Sequence, residues 1–317
     1  MKKISIVVPC YNEEDNILNM YRALTSVMTE TLSDYEYDII FVDNKSKDSS
    51  RSIIRKICSE DLHVKAVFNR VNCGPDTNAL HSLRESDGDC VIRISADFQE
   101  PVDQIPVMVR EWEKGGKVVC MIKTRSKENK LIYFAREMFY RVFEVMSPTP
   151  QLKQFTGFGL YDREFVDVIR QLSDPNPCMK GIIAEYAPER VEVPFEQQKR
   201  QAGKSSMSFM RYYDSAMLSF TSYTTSGLRI ATFGGFLISA VSFLIGLIYL
   251  ILKLTHWDSF PTGVAPILLS VLFLGGVQLF FIGILGEYIL SINKRVINRP
   301  MVVVEERLNY DDYVWRD

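Results

Sequence analysis

Over roughly the first 120 positions, short apolar runs alternate with amphipathic stretches. Residues 4–9, 37–42, 64–68, 90–94 and 117–122 are near-continuous apolar segments, the pattern of strands buried on both faces. Between them, residues 15–28 and 49–58 repeat apolar positions at helical spacing, with Asp15 or Asn16 near the start of the first, and a further helix begins over 77–83. Strands alternating with helices of this length predict βαβ units and a mostly parallel sheet. The dinucleotide fingerprint Gly-x-Gly-x-x-Gly is absent after the first strand. Pro9-Cys10-Tyr11-Asn12-Glu13-Glu14 stands in its place, so a nucleotide here is bound by other means.

Beyond position 200 the pattern changes. Residues 230–252 and 264–286 contain no charged side chain, and each run exceeds the roughly 20 residues that cross a bilayer core. Soluble core helices of that length keep a polar stripe, so two transmembrane helices are predicted. The short loop between them has Lys253 as its basic residue and Trp257 and Phe260 as interface anchors. Arg211 and Arg229 precede the first span, and Lys294, Arg295 and Arg299 follow the second, so both termini are expected in the cytoplasm. Residues 207–226 are amphipathic and run directly into the first span, which predicts a helix at the membrane surface. Residues 131–146 share that character, with core packing and an interfacial position equally open. Gly275, Gly276, Gly283 and Gly286 permit close helix approach, either to the first span or to another copy in a homo-oligomer.

Composition narrows the function. With 37 Lys and Arg against 39 Asp and Glu in 317 residues, and no basic block interleaved with aromatics, nothing supports nucleic-acid binding. The six cysteines are dispersed without a Cys-x-x-Cys pair and are read as reduced thiols of a cytosolic domain, with no signal peptide at the first residues. His63, His81 and His256 stand apart from any cysteine pair, which argues against zinc, and no nucleophile elbow is present. The chemistry concentrates instead after the run at 90–94, where Asp97, Gln99 and Glu100 precede Pro101. Ligands of open parallel sheets sit beyond the carboxyl ends of strands, and oxygen donors there suit a hard cation, Mg2+ or Mn2+, with a phosphate-bearing substrate. A solvated acidic turn is the plain alternative.

Four stretches together resemble glycosyltransferase family 2, and within it the bacterial polyprenyl-phosphate glycosyltransferases related to dolichyl-phosphate mannose synthase. They are Val8-Pro9-Cys10-Tyr11-Asn12-Glu13-Glu14, Val42-Asp43-Asn44-Lys45-Ser46-Lys47-Asp48, Ala96-Asp97-Phe98-Gln99-Glu100-Pro101 and Arg200-Gln201-Ala202-Gly203-Lys204-Ser205. The resemblance covers the whole chain. It implies a GT-A-type, Rossmann-like α/β domain that binds a nucleotide sugar over residues 1–205. A juxtamembrane helix (206–228), two spans (229–253 and 264–290) joined by an external loop (254–263), and a cytosolic tail (291–317) follow. The protein is thereby expected in the bacterial cytoplasmic (inner) membrane, multi-pass, against the lipid bilayer.

What the resemblance implies for the site is specific. Pro9, Tyr11 and Glu13 would lie beside base and ribose, with Arg70, Gly74, Ala96 and Asp97 completing the nucleotide-sugar pocket. Asp43 would accept from a base such as uracil, although capping of the following turn explains the same residue. Asp97 and Gln99 would hold the metal. Arg125, Arg136, Arg200 and Lys204 would meet the acceptor phosphate, with Asp97, Arg125 and Arg200 closest to the chemistry. Two positions depart from the family pattern: Ser95 replaces the first carboxylate of the usual Asp-Ala-Asp, and Asn44-Lys45 replaces Asp-Gly in the second motif. The first departure weakens metal affinity. The expected reaction is inverting transfer of one sugar from a UDP-linked donor to undecaprenyl phosphate. A processive polysaccharide synthase lacks support, since Gln197-Gln198-Lys199-Arg200-Gln201 has no Trp after its Arg. A catalytically silent membrane scaffold is the alternative that Ser95 keeps open.

Overall fold

The computed structural model describes residues 1–124, 152, 154–172, 177–198, 264–296 and 300–310, with seven further positions between 237 and 255. Strands and helices alternate first: β1 (Lys3–Cys10), α1 (Ile17–Glu30), β2 (Glu36–Asp43), α2 (Ser50–Glu60), β3 (Val64–Asn69), α3 (Pro75–Arg84) and β4 (Cys90–Arg93). After one 3-10 turn come α4 (Ile105–Glu113), β5 (Val118–Lys123), β6 (Phe155–Asp162), α5 (Arg163–Gln171), α6 (Met179–Tyr186) and β7 (Val191–Phe195). A long helix, α7 (Val264–Val296), and a last strand, β8 (Val304–Leu308), follow.

The eight strands form one sheet in the order β7-β5-β6-β4-β1-β2-β3-β8. β1 pairs in parallel with both β2 and β4, and β2 with β3, as the alternation predicts. β6 enters antiparallel between β4 and β5, which the apolar pattern does not announce. The chain winds outward from β1 through β2 to β3, then returns to β1's other side as β4. The strand order therefore reverses between β1 and β4, the place beyond whose carboxyl ends open α/β sheets bind ligands.

Period-two alternation divides the core between two layers. Ile4, Ile6, Val8, Ile39 and Phe41 face one, where Ile17, Met20, Leu24 and Met28 of α1 recur at helical spacing. Val7, Ile40, Val42 and Val91 face the other, against Leu80 and Leu83 of α3 and Phe165, Val166 and Ile169 of α5. Each such side chain contributes roughly 1.5–3 kcal/mol by leaving water, so the central strands are the firmest platform for loops at their ends. Cys10, Cys58, Cys90 and Cys120 are buried thiols outside any disulfide. Burial pushes Cys58 and Cys120 up to about 12, as inert core thiols require.

The residues after α7, read as a tail, carry β8, which pairs antiparallel with β3 at the sheet edge. The helix itself runs 33 residues, roughly 50 Å at 1.5 Å per residue. With its apolar stretch Phe273–Leu290 it is the one helix among the described residues long and apolar enough to cross a membrane. Of the first predicted span, six positions are described; all are helical, and Leu237, Val241, Leu244, Ile248 and Ile251 are exposed. A Cβ added at Gly275, Gly276, Gly283 or Gly286 would meet nothing within 4 Å among the described residues. The amphipathic stretches 131–146 and 207–226 lie outside the described residues, as do Arg125, Arg136, Arg200 and Lys204.

Candidate active site

Three predicted motifs converge at the carboxyl ends of the central strands. Pro9 pairs in register with Val42, and Cys10 with Asp43, so the first and second motifs leave the sheet side by side. Their loops are laced together. Asn12 N–H donates to Ser46 Oγ (2.8 Å), Glu13 N–H to Ser50 Oγ (2.9 Å), and Lys47 N–H to Asn12 Oδ1 (2.8 Å). Glu14 completes the seam by accepting from Ser49 N–H at 2.8 Å. Asn12 and Lys45 take positive φ, 55° and 65°, to bring the backbone amides round. Tyr11 is half-buried at the rim. Glu13 is buried and accepts from Asn16 Nδ2 (2.6 Å), so its carboxylate organises the start of α1.

Asp43 is fully buried. Its carboxylate accepts from the Ser46 N–H (3.1 Å) and from Arg51 Nε (2.6 Å). The capping role thus accounts for one bond and Arg51 for the other. Direct contact with a base requires the turn or Arg51 to move; as it stands, Asp43 acts by shaping the turn. Asn44, the departure from the usual second carboxylate, does equivalent work with the next loop. Its Nδ2 donates to the Gly74 carbonyl (3.1 Å) and its Oδ1 accepts from Cys73 N–H (2.9 Å). Gly74 has φ 89°, a conformation suited to glycine, and its carbonyl accepts the first bond of α3 from Asn78 N–H. Arg70 is exposed beside this loop, its N–H donating to the Val303 carbonyl at 2.8 Å.

The third motif separates into parts. Ala96 is buried and Asp97 half-buried past the end of β4, with Asp97 Oδ1 accepting from Gln99 N–H (3.3 Å). Phe98 takes φ 57°, which turns the backbone between them. Glu100, the third oxygen-bearing side chain, is 2% exposed and faces inward. It accepts from Ser95 N–H (2.6 Å), Thr156 Oγ1 (2.8 Å) and Arg93 Nη1 (3.4 Å). The acidic turn is therefore neither simply solvated nor a three-ligand cluster: Glu100 holds the loop, and Asp97 and Gln99 stand on it. Gln99 Oε1 accepts from Gln197 Nε2 (3.2 Å) and its carbonyl from Gln198 N–H (3.0 Å), joining the motif to the segment that leads to Arg200.

Among the described residues no group of three or more His, Cys, Asp or Glu is placed to hold a metal. The Asp97 carboxylate and the second lone pair of the Gln99 amide oxygen form a two-donor set that fits a hard cation completing its shell with phosphate and water oxygens. Arg51, Arg93, Thr156 and Glu100's inward role were missed from sequence. Arg93 and Glu100 both bond to Thr156, 63 and 56 positions away, and Gly157 (φ 95°, its would-be Cβ 3.1 Å from Arg93 Nη1) is the local sign of that close approach.

Residues 5–169 match the glycosyl transferase family 2, and residues 235–292 the family described as GtrB C-terminal hairpin. The chain belongs to glycosyl transferase family 2. This family 2 glycosyltransferase also has full-length relatives. The bactoprenol glucosyl transferase of Shigella phage SfII is 34% identical over 307 residues, covering 96% of this chain and 98% of its own. The prophage bactoprenol glucosyl transferase homolog of Escherichia coli K12 is 32% identical, with 96% and 98% covered. The undecaprenyl-phosphate 4-deoxy-4-formamido-L-arabinose transferase of Klebsiella pneumoniae is 28% identical, with 96% and 93% covered. Among solved structures, glucosyl-3-phosphoglycerate synthase of Mycobacterium tuberculosis aligns at TM-score 0.47 and 17% identity, over 69% of this chain and 76% of its own.

Proposed function

We propose that this glycosyltransferase moves one sugar from a UDP-linked donor to the phosphate of undecaprenyl phosphate at the cytoplasmic face of a bacterial inner membrane. The observation that carries the reading is full-length similarity to relatives named for that acceptor, 34% identical over 96% of the chain. The site agrees with it chemically. No His or Ser pair is needed, because a phosphate monoester is largely dianionic at pH 7 and attacks without strong base assistance. An acceptor oxygen forms the bond to the anomeric carbon as the bond to the nucleotide diphosphate breaks, inverting the centre and releasing UDP. Held by Asp97 and Gln99, Mg2+ or Mn2+ would neutralise charge on the leaving diphosphate.

The protein's own part is placement and charge. The laced loops at residues 11–16 and 43–50 cradle the nucleotide; the Glu100-braced loop presents Asp97 to the diphosphate. Arg125, Arg136, Arg200 and Lys204 are assigned to the acceptor phosphate, where a guanidinium fork grips two oxygens at once. The spans at 229–253 and 264–290 are read as a membrane hairpin, supported by the match at 235–292 and by the exposed apolar α7. The test is transfer of label into organic solvent by detergent-purified protein, given undecaprenyl phosphate, Mn2+ or Mg2+ and a panel of radiolabelled UDP-sugars, UDP-glucose first. Metal-dependent, acid-labile lipid label from one donor supports the reading. No label from UDP-, GDP- or dTDP-sugars by folded protein refutes it.

A further inference from the structure

The strand that follows the long apolar helix reaches the nucleotide loops. Glu305 of β8 accepts from Lys45 Nζ at 2.9 Å and from Arg51 Nη1 at 3.0 Å. Lys45 is the positive-φ residue of the second motif's turn, and Arg51 is the residue that grips Asp43 within it. Arg51 is otherwise fixed by donation to the Asn69 carbonyl (2.6 Å) and by lying over the Phe68 ring, 5.2 Å from its centroid. One carboxylate therefore ties both ends of the turn at residues 43–51 to the sheet edge. That turn in turn carries the seam to Asn12, Glu13 and Glu14.

We infer that Glu305 is a positioning residue for the donor nucleotide, acting through Lys45 and Arg51 to hold the turn around Asp43 in its binding shape. This rests on the reading that the turn serves the nucleotide. The neighbouring Glu306 supplies the comparison: it pairs with Arg55 at 2.5 Å, on the same strand and against the same helix, with no link to Asp43. A clamp that merely fastens β8 treats the two glutamates alike; a clamp that shapes the turn does not.

The experiment uses the full chain in detergent, UDP as the calorimetric ligand and the active UDP-sugar for kinetics. Two partly exposed ion pairs give about a fivefold effect. Glu305→Gln is expected to weaken UDP binding and raise the donor KM by that factor, with kcat within about twofold. Glu306→Gln should leave both unchanged, and Glu305→Asp should recover part of the loss. Equal effects at 305 and 306, unchanged UDP affinity, or tighter binding in Glu305→Gln each overturn the inference. Asp43→Asn separates the two levels. If it leaves UDP affinity intact, the nucleotide reading of the turn falls and the inference with it. If it weakens UDP while Glu305→Gln does not, the clamp alone is refuted.

Discussion

Removing the Glu100 carboxylate should unfold the donor domain's active face before it affects anything else. The group is buried and accepts three bonds, from Ser95 N–H, Thr156 Oγ1 and Arg93 Nη1. Hydrogen bonds to a charged acceptor contribute about 1.5–3 kcal/mol each, but they are not additive here, and breaking a buried charged pair costs about 3–5 kcal/mol in total. Glu100→Ala strands the Ser95 amide and leaves the Arg93 guanidinium only the Thr156 carbonyl, with no carboxylate against its charge, so that range applies. For a domain near 200 residues each kcal/mol is worth about 2–4 °C, which places the fall in midpoint at roughly 6–20 °C. Glu100→Gln keeps one acceptor oxygen and should lose about 1–3 kcal/mol. Thermal unfolding followed by tryptophan fluorescence in detergent reads these values, because Trp112 is buried in the same domain. A cycle with Thr156→Val isolates one bond and should show coupling of about 0.5 kcal/mol or more. A Glu100→Ala midpoint within 2 °C of the parent, or strict additivity with Thr156→Val, would refute the reasoning.

Asp97→Ala should remove lipid-linked label by at least about a hundredfold while the protein still partitions into membranes; near-parental turnover would disprove its placement at the diphosphate. Gly157→Ala meets both a φ of 95° and an Arg93 nitrogen 3.1 Å from the new Cβ. Its expected cost is about 1–3 kcal/mol, read as a lower unfolding midpoint. His81 is buried beside Glu85, Arg84 and Arg307, and desolvation lowers it to about 4 from an ordinary 6.5. The unfolded chain therefore binds the extra proton between those values, and stability declines as pH falls from about 6.5 towards 4, by up to roughly 3 kcal/mol. Midpoints of the parent at pH 7 and 5 should differ by more than those of His81→Gln; equal differences would remove His81 as the cause.

Strands β1 to β5 were legible to within a residue or so because strands buried on both faces write continuous apolar runs. The parallel winding followed from what lay between those runs. β6 was opaque: Thr156, Gly157 and Gly159 interrupt its pattern, and its place between β4 and β5 is decided by pairings across tens of residues. β8 was opaque for another reason. Three of its five residues are charged, so it reads as a solvated tail until its partners Lys45, Arg51, Arg55 and Glu85 are known. At the site, residue types and order drew attention to the loop of Asp97 and Gln99, since oxygen-bearing side chains after a buried strand are a local signal. Glu100 carries the same local signal and faces the other way, because what turns it inward is Thr156 on a distant strand. Asp43 likewise looked available for a base, and Arg51, eight residues on, encloses it.

Because β8 lies beyond the long apolar helix α7 in sequence, the sheet's far edge cannot close until synthesis has passed that helix. At the usual 5–20 residues per second, β3 waits roughly 10–50 s for its neighbour, with an open edge through that interval. Glu305 arrives with that last strand. A ribosome-bound chain halted before β8 therefore holds the turn at residues 43–51 without the carboxylate that pairs with Lys45 and Arg51. Completion of the sheet is in this way deferred until the residues that follow α7 have been made.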